Sequence, residues 1–93
     1  MKNLNYEIDH SMIDLEESQN KDDIEFLIHL KTEESIKRMR NIREFYESDK
    51  VYTDIYFYPH ANHQYKVIVK YEGYVPFLVK MFQFKLLKSV SWK

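Results

Sequence analysis

The 93-residue chain predicts an α+β fold, a mainly antiparallel sheet in the element order ββαβββ with one principal helix packed on one face. Three observations carry this. Apolar and polar residues alternate with a period of two in several separate stretches, the signature of half-buried strands. Only one stretch, residues 32–48, repeats its apolar residues at three- and four-residue steps. Punctuation is sparse, with Gly73 the single glycine and Pro59 and Pro76 the only prolines, so no linker divides the chain and residues 1–93 read as one domain.

Leu4, Tyr6 and Ile8 alternate with Asn5, Glu7 and Asp9, which reads as the first strand. The extended run is expected to continue through residues 11–16 with a change of face at His10–Ser11, although a short helix capped by Ser11 is the alternative. Residues 17–23 are polar and read as a loop. Ile24, Phe26, Ile28 and Leu30 then share one strand face, with Glu25, Leu27 and His29 on the other.

Thr32 is a good N-cap, and Glu33 and Glu34 place negative charge where the helix dipole favours it. Ile36, Met39, Ile42 and Tyr46 form the apolar stripe of the helix that follows. Its basic residues fall at i,i+4 spacing from acids (Glu33–Lys37, Glu34–Arg38, Arg40–Glu44, Arg43–Glu47), which describes a salt-bridged solvated face and not a nucleic-acid stripe.

The second half reads as a three-stranded meander. Val51, Thr53, Ile55 and Phe57 alternate with Tyr52, Asp54, Tyr56 and Tyr58. Residues 59–63, PHANH, form a turn of five. Tyr65, Val67, Val69 and Tyr71 then alternate with Lys66, Ile68 and Lys70. Gly73 makes the second turn, and residues 75–92 read as a long last strand whose apolar parity shifts near Lys80–Phe82, as a bulge would cause.

Composition limits the function. A 93-residue chain with 44% hydrophobic and 16% aromatic residues has room for one core and one site. Without cysteine there is no disulfide framework and no thiolate metal site. The N-terminal segment has no apolar signal region, and YVPFLV is too short to span a bilayer, so a cytoplasmic protein without membrane contact is expected. The Lys-, Ile- and Asn-rich, Ala-poor usage suits an AT-rich genome, such as that of a low-GC bacterium or its phages. The net charge of −1 hides an asymmetry. Residues 1–50 hold 8 Lys and Arg against 13 Asp and Glu, whereas residues 51–93 hold 6 Lys against Asp54 and Glu72.

No cofactor and no catalytic activity are expected. There is no Gly-rich phosphate loop, no cysteine nucleophile and no serine in a nucleophile-elbow context, and a one-core chain offers no evident pocket. Asp22, Asp23 and Glu25 form an acidic cluster of the kind usually solvated. His60 and His63 sit close enough in sequence to share a metal, but third and fourth ligands are not evident nearby.

One helix covers only one sheet face, so Tyr52, Tyr56, Tyr58, Lys66, Ile68 and Lys70 are left on the other. Tyrosine brings large contact area with few rotors to freeze, and Trp92 near the end of the last strand is expected either to close the rim of the core or to serve as a further interface anchor. The expected function is a small interaction module, of regulator, inhibitor, immunity or phage-modulator type, whose aromatic sheet face binds a protein partner or a second copy in a homodimer. The alternative is a single-stranded nucleic-acid binder on the same face, with tyrosines stacking on bases and Lys66, Lys70, Lys80, Lys85 and Lys88 meeting phosphates.

Overall fold

The strongest alternation in the sequence, Ile24 to Leu30, becomes a central strand of the main sheet. The computed structural model describes residues 4–48 and 54–92, and its elements run β1 (Leu4–Ile8), β2 (Ile13–Gln19), β3 (Asp23–Leu30), α1 (Glu33–Glu47), β4 (Ile55–His60), β5 (Gln64–Lys70), α2 (Tyr71–Gln83) and β6 (Leu87–Trp92). The α+β class with antiparallel sheets stands. The order differs from ββαβββ, because the expected first extended run divides into two strands and a second helix replaces most of the expected last strand.

Strands β2-β3-β5-β4 form a four-stranded antiparallel sheet, and β1 and β6 form a separate antiparallel pair. Ile24, Phe26 and Ile28 of β3 oppose Val69, Val67 and Tyr65 of β5, and Ile55 and Phe57 of β4 oppose Val69 and Val67. This register puts the buried side chains of β3, β4 and β5 on one face. Both helices pack on that face.

Between β1 and β2 the chain turns where the sequence allowed one continuous run. The Asp9 carboxylate accepts hydrogen bonds from the Ser11 amide at 3.1 Å and the Ser11 hydroxyl at 2.6 Å, a local side-chain turn that competes with the strand ladder. Its carboxyl is thereby held below the usual range. The chain changes sheets at this point. The expected loop at 17–23 shortens to residues 20–22, closed by the Asn20 amide donating to the Asp23 carbonyl at 2.8 Å.

Helix α1 begins as its sequence indicates. Thr32 Oγ1 accepts from the Ser35 amide at 2.9 Å, and Ser35 Oγ accepts from the Thr32 amide at 3.1 Å, completing a capping box. Met39, Ile42 and Tyr46 are buried, and Ile36 is packed beside them. Of the expected ion pairs, Glu34–Arg38 and Arg43–Glu47 close at 3.0 and 3.1 Å.

Helix α2 overturns the reading of Gly73 as a turn and of residues 75–92 as one strand. Tyr74, Phe77, Leu78 and Met81 are buried at helical spacing. Gly73 lies in the first turn, where a Cβ would come within 3.0 Å of Val69 Cγ1 and 3.3 Å of Asp54 Cβ, so a bare backbone is what lets α2 lie against β5. Pro76 removes one intrahelical donor, a cost the surrounding packing outweighs. The helix ends in a Schellman arrangement: the Lys85 amide donates to the Phe82 carbonyl at 2.9 Å and the Leu86 amide to the Met81 carbonyl at 3.0 Å, with Lys85 left-handed at φ 63°.

Phe77 is the hub of the core. Its ring centroid lies 5.2 Å from that of Phe26 on β3, 6.4 Å from Phe57 on β4 and 6.5 Å from Tyr46 on α1. Phe77→Ala is expected to lower unfolding free energy by about 3–5 kcal/mol, read by urea denaturation, a large share of the stability of a domain of this size. Lys85→Gly is expected to raise it by about 1 kcal/mol, because an L-residue is strained in the left-handed region that glycine occupies freely. The same denaturation curves measure both.

Candidate functional site: the open sheet face

The register of the four-stranded sheet fixes what its second face displays. Four rows cross it in the order β2, β3, β5, β4. The first is Asp14, His29, Gln64, His60; the second is Glu16, Leu27, Lys66, Tyr58; the third is Ser18, Glu25, Ile68, Tyr56; the last is Asp23 and Lys70 on the central strands. Tyr56, Tyr58 and Leu27 are 45%, 47% and 40% exposed. Among the described residues no element packs over this face.

The structure thus brings together five of the residues the sequence singled out: Tyr56, Tyr58, Lys66, Ile68 and Lys70. Tyr52 lies outside the described residues, as do Val51 and Thr53. Trp92 is not part of the group. It ends β6 opposite Leu4, in the two-stranded sheet, and is 70% exposed.

Two features of the face were missed. Leu27 joins the tyrosines and Ile68 in the two middle rows, so the apolar side chains are central and the outer rows polar, the anatomy of a protein interface. Alternation of β3 already placed Leu27 on this side; the pairing of β3 with β5 was the missing information. The second feature is charge. Asp14, Glu16, Asp23 and Glu25 share the face with Lys66 and Lys70, leaving it with an excess of carboxylates. Lys66 Nζ reaches Glu25 at 3.9 Å, and Asp14 meets Lys31 at 3.2 Å and His10 at 3.3 Å, contacts that hold the Asp14 carboxyl below its usual range. His10 is therefore paired, in the turn between β1 and β2.

The other three lysines proposed for phosphate contact are elsewhere. Lys80 lies on α2, its Nζ 3.8 Å from the Phe45 ring centroid; Lys85 is in the turn after α2, and Lys88 is on β6. Among the described residues, only Lys66 and Lys70 of the five lysines stand beside the tyrosines.

The β4–β5 turn is three residues long, not five, with Asn62 and His63 both left-handed at φ 61° and 59°. His60 stays on the strand and His63 in the turn, where its carbonyl accepts from the Leu30 amide at 2.9 Å. Among the described residues no three His, Asp or Glu side chains converge as metal ligands, and this includes Asp22, Asp23 and Glu25.

A groove of about 350 Å³ corrects the expectation of no pocket. Phe45, Pro76 and Val79 wall it, with Asp54 and Glu72 at its polar side. Its size is at the low end for small-molecule sites. Lys80, the one cation among its described lining residues, is already placed over Phe45.

A polar cluster on the core side is structural. Tyr6 donates to Glu17 Oε1 at 2.6 Å, and Tyr74 donates to the same carboxylate at 3.1 Å, joining β1, β2 and α2. Burial, then the hydrogen bond and charge of Glu17, pushes the Tyr6 phenol far up; burial and the Glu17 charge do the same to Tyr74. Unfolded tyrosine titrates at 10.0, so above that pH the unfolded chain binds fewer protons than the folded one. Stability from this cluster is complete below pH 10 and is expected to fall above it by up to about 2.7 kcal/mol per pH unit for the two phenols. Tyr74→Phe should roughly halve that slope in urea unfolding series taken on both sides of pH 10.

Comparison of the chain with known protein families, with curated proteins and with solved structures found no match.

Proposed function

We propose that this protein is a small non-enzymatic interaction module that binds a protein through the open face of its four-stranded sheet. One observation carries the reading: Leu27, Ile68, Tyr56 and Tyr58 occupy the two middle rows of a face that neither helix covers, with polar and charged residues around them. A regulator, an inhibitor or immunity-type protein, or a phage-encoded modulator acting in the cytoplasm would use such a face. No helix among the described residues is long and apolar enough to cross a membrane.

The sheet's charge favours protein over nucleic acid. A polyanion meeting Lys66 and Lys70 would also meet Asp23 and Glu25 on the adjacent strand, and this repulsion opposes the counterion release that drives phosphate binding. The bands of opposite charge instead suit a protein surface that carries both signs.

Two assays separate the readings. Labelled mixed-sequence single-stranded DNA and RNA are titrated with the protein at low and physiological salt, and anisotropy is read. No binding is expected at either salt. Micromolar binding that weakens with salt and is lost in Tyr56→Ala would replace the protein reading with the nucleic-acid one. In parallel, immobilised wild type and Tyr56→Ala/Tyr58→Ala protein are compared as baits in a low-GC bacterial lysate. A partner retained only by the wild type is expected; partners retained equally by both would remove the sheet face from the proposal.

A further inference from the structure

Resting on that interaction reading, we infer that the partner of the open face is a second copy of this chain, packed face to face about a two-fold axis that runs parallel to the strands between β3 and β5. The layout of charge on the face points to this arrangement. Carboxylates occupy β2 and β3, and lysines occupy β5, with the tyrosines and His60 on β4. A two-fold axis along the strands reverses the strand order in the second copy. It lays β3 over β5 and β2 over β4, and does so twice. A two-fold axis across the strands would instead lay β2 on β2 and β3 on β3, setting carboxylate against carboxylate.

In the favoured arrangement Leu27 and Ile68, on the two strands flanking the axis, pack beside their own symmetry mates. Because this axis keeps each row at its own level, Leu27 of one copy lies over Lys66 of the other and Glu25 over Ile68, and Glu25 reaches Lys66 of the other copy diagonally, one row away. Further out, Glu16 on β2 lies over the Tyr58 hydroxyl on β4. Among the described residues the Glu16 and Lys70 side chains take no ion pair within the chain, so both are free to pair across the interface. The Lys66–Glu25 contact within one copy is long, at 3.9 Å, and partly open to solvent, so it competes weakly with the same pair formed between copies.

Area sets the strength. Four strands about 4.8 Å apart and six to seven residues long, at about 3.3 Å per residue, give roughly 400 Å² of plan area per copy, and side-chain relief raises the buried total to about 1,000 Å². That is the lower end for specific interfaces, so the dimer is a reversible one that dissociates on dilution. Sheets packed this way incline by about 30°, which keeps the central rows matched and lets the outer rows diverge. The Lys66–Glu25 pair beside the axis is therefore the one to test.

The test is a charge exchange read by sedimentation equilibrium from micromolar to millimolar protein. Wild type is expected to show a monomer–dimer equilibrium. Lys66→Glu sets the introduced carboxylate against Glu25 of the other copy at both symmetry-related contacts, and Glu25→Lys sets the introduced ammonium against Lys66. Each alone is expected to weaken the dimer roughly a hundredfold. An equimolar mixture of the two variants is expected to restore it, because both contacts then join opposite charges. The repulsion within each chain is unchanged by mixing, so restoration reports the contact between copies and not a repaired fold. Circular dichroism of each variant checks folding, and the double variant Lys66→Glu/Glu25→Lys, in which every pair is again opposite, is expected to dimerise like wild type.

A wild type that stays monomeric throughout overturns the inference, as does a dimer that both single variants leave intact. These outcomes are separable from failure of the interaction reading itself. A monomer that still captures a protein in a Tyr56- and Tyr58-dependent way keeps the face as a site and loses only the second copy as its occupant. A monomer without such capture loses both.

Discussion

Everything in this fold is arranged around one buried ring. Phe77 of α2 touches Phe26, Phe57 and Tyr46, so a single residue joins two strands and the first helix. A domain of this size buries too little surface to support two cores. The apolar faces of the helices and of the four-stranded sheet must therefore meet in one place, and Phe77 is where they meet. The consequence falls on the opposite side of the sheet. Once both helices are committed to the Phe26 side, nothing among the described elements remains to cover Leu27, Ile68, Tyr56 and Tyr58. The open face follows from the position of the core.

The tyrosines illustrate how one residue type divides between structure and surface. Tyr74 is buried and stacks on Phe26, with ring centroids 6.0 Å apart, while its hydroxyl reaches Glu17. Tyr71 pins the start of α2 to the β2–β3 turn by donating to the Asn20 carbonyl at 2.8 Å. Tyr46 closes the core from α1, and Tyr65 lies on the core side of β5. Only Tyr56 and Tyr58, among the described tyrosines, face outward on the open sheet. The tyrosine available for a binding face is therefore less than the chain's eight tyrosines imply. What remains of it is concentrated on β4, beside the apolar residues of the two central strands.

The sequence made some of this legible and hid the rest for definable reasons. Alternation identified β1, β3, β4 and β5 and the faces of their residues, and Thr32 with its acidic first turn located α1. Helix α2 was hidden because both of its signals were masked. Its buried positions do follow the helical step, Tyr74, Phe77, Leu78, Met81, but Val75, Val79 and Phe82 fill the positions between them with further apolar side chains, so no polar face marks the period. Gly73 and Pro76 add two residues that ordinarily end helices. Tertiary packing outweighs both: the glycine permits the approach to Val69, and Phe77 rewards the helix that follows. The parity shift near Lys80–Phe82, read as a bulge, marks where that helix runs out. The open face was legible strand by strand, but not as a surface, because neither the β3–β5 pairing nor the carboxylates it brings beside Lys66 and Lys70 leaves a local trace.

That pairing also explains the charge asymmetry of the chain. Strands β2 and β3 come from the acidic first half, and β5 and β4 from the second half, whose charged residues are mostly lysines. Joining β3 to β5 sets the two halves side by side, so that an asymmetry along the sequence becomes an asymmetry across one flat surface. At the seam the charges compensate within the chain, as Glu25 and Lys66 do. Away from the seam they have, among the described residues, no neighbour of opposite sign on the same sheet: Glu16 is two strands from Lys66, and across the strand from it stands Leu27. A surface with acid on one side and base on the other matches its own image turned about the strand direction. This self-complementarity needs no special residue. It arises because an acidic half and a basic half contribute two adjacent strands each to one sheet, and because the core lies wholly on the other side of it.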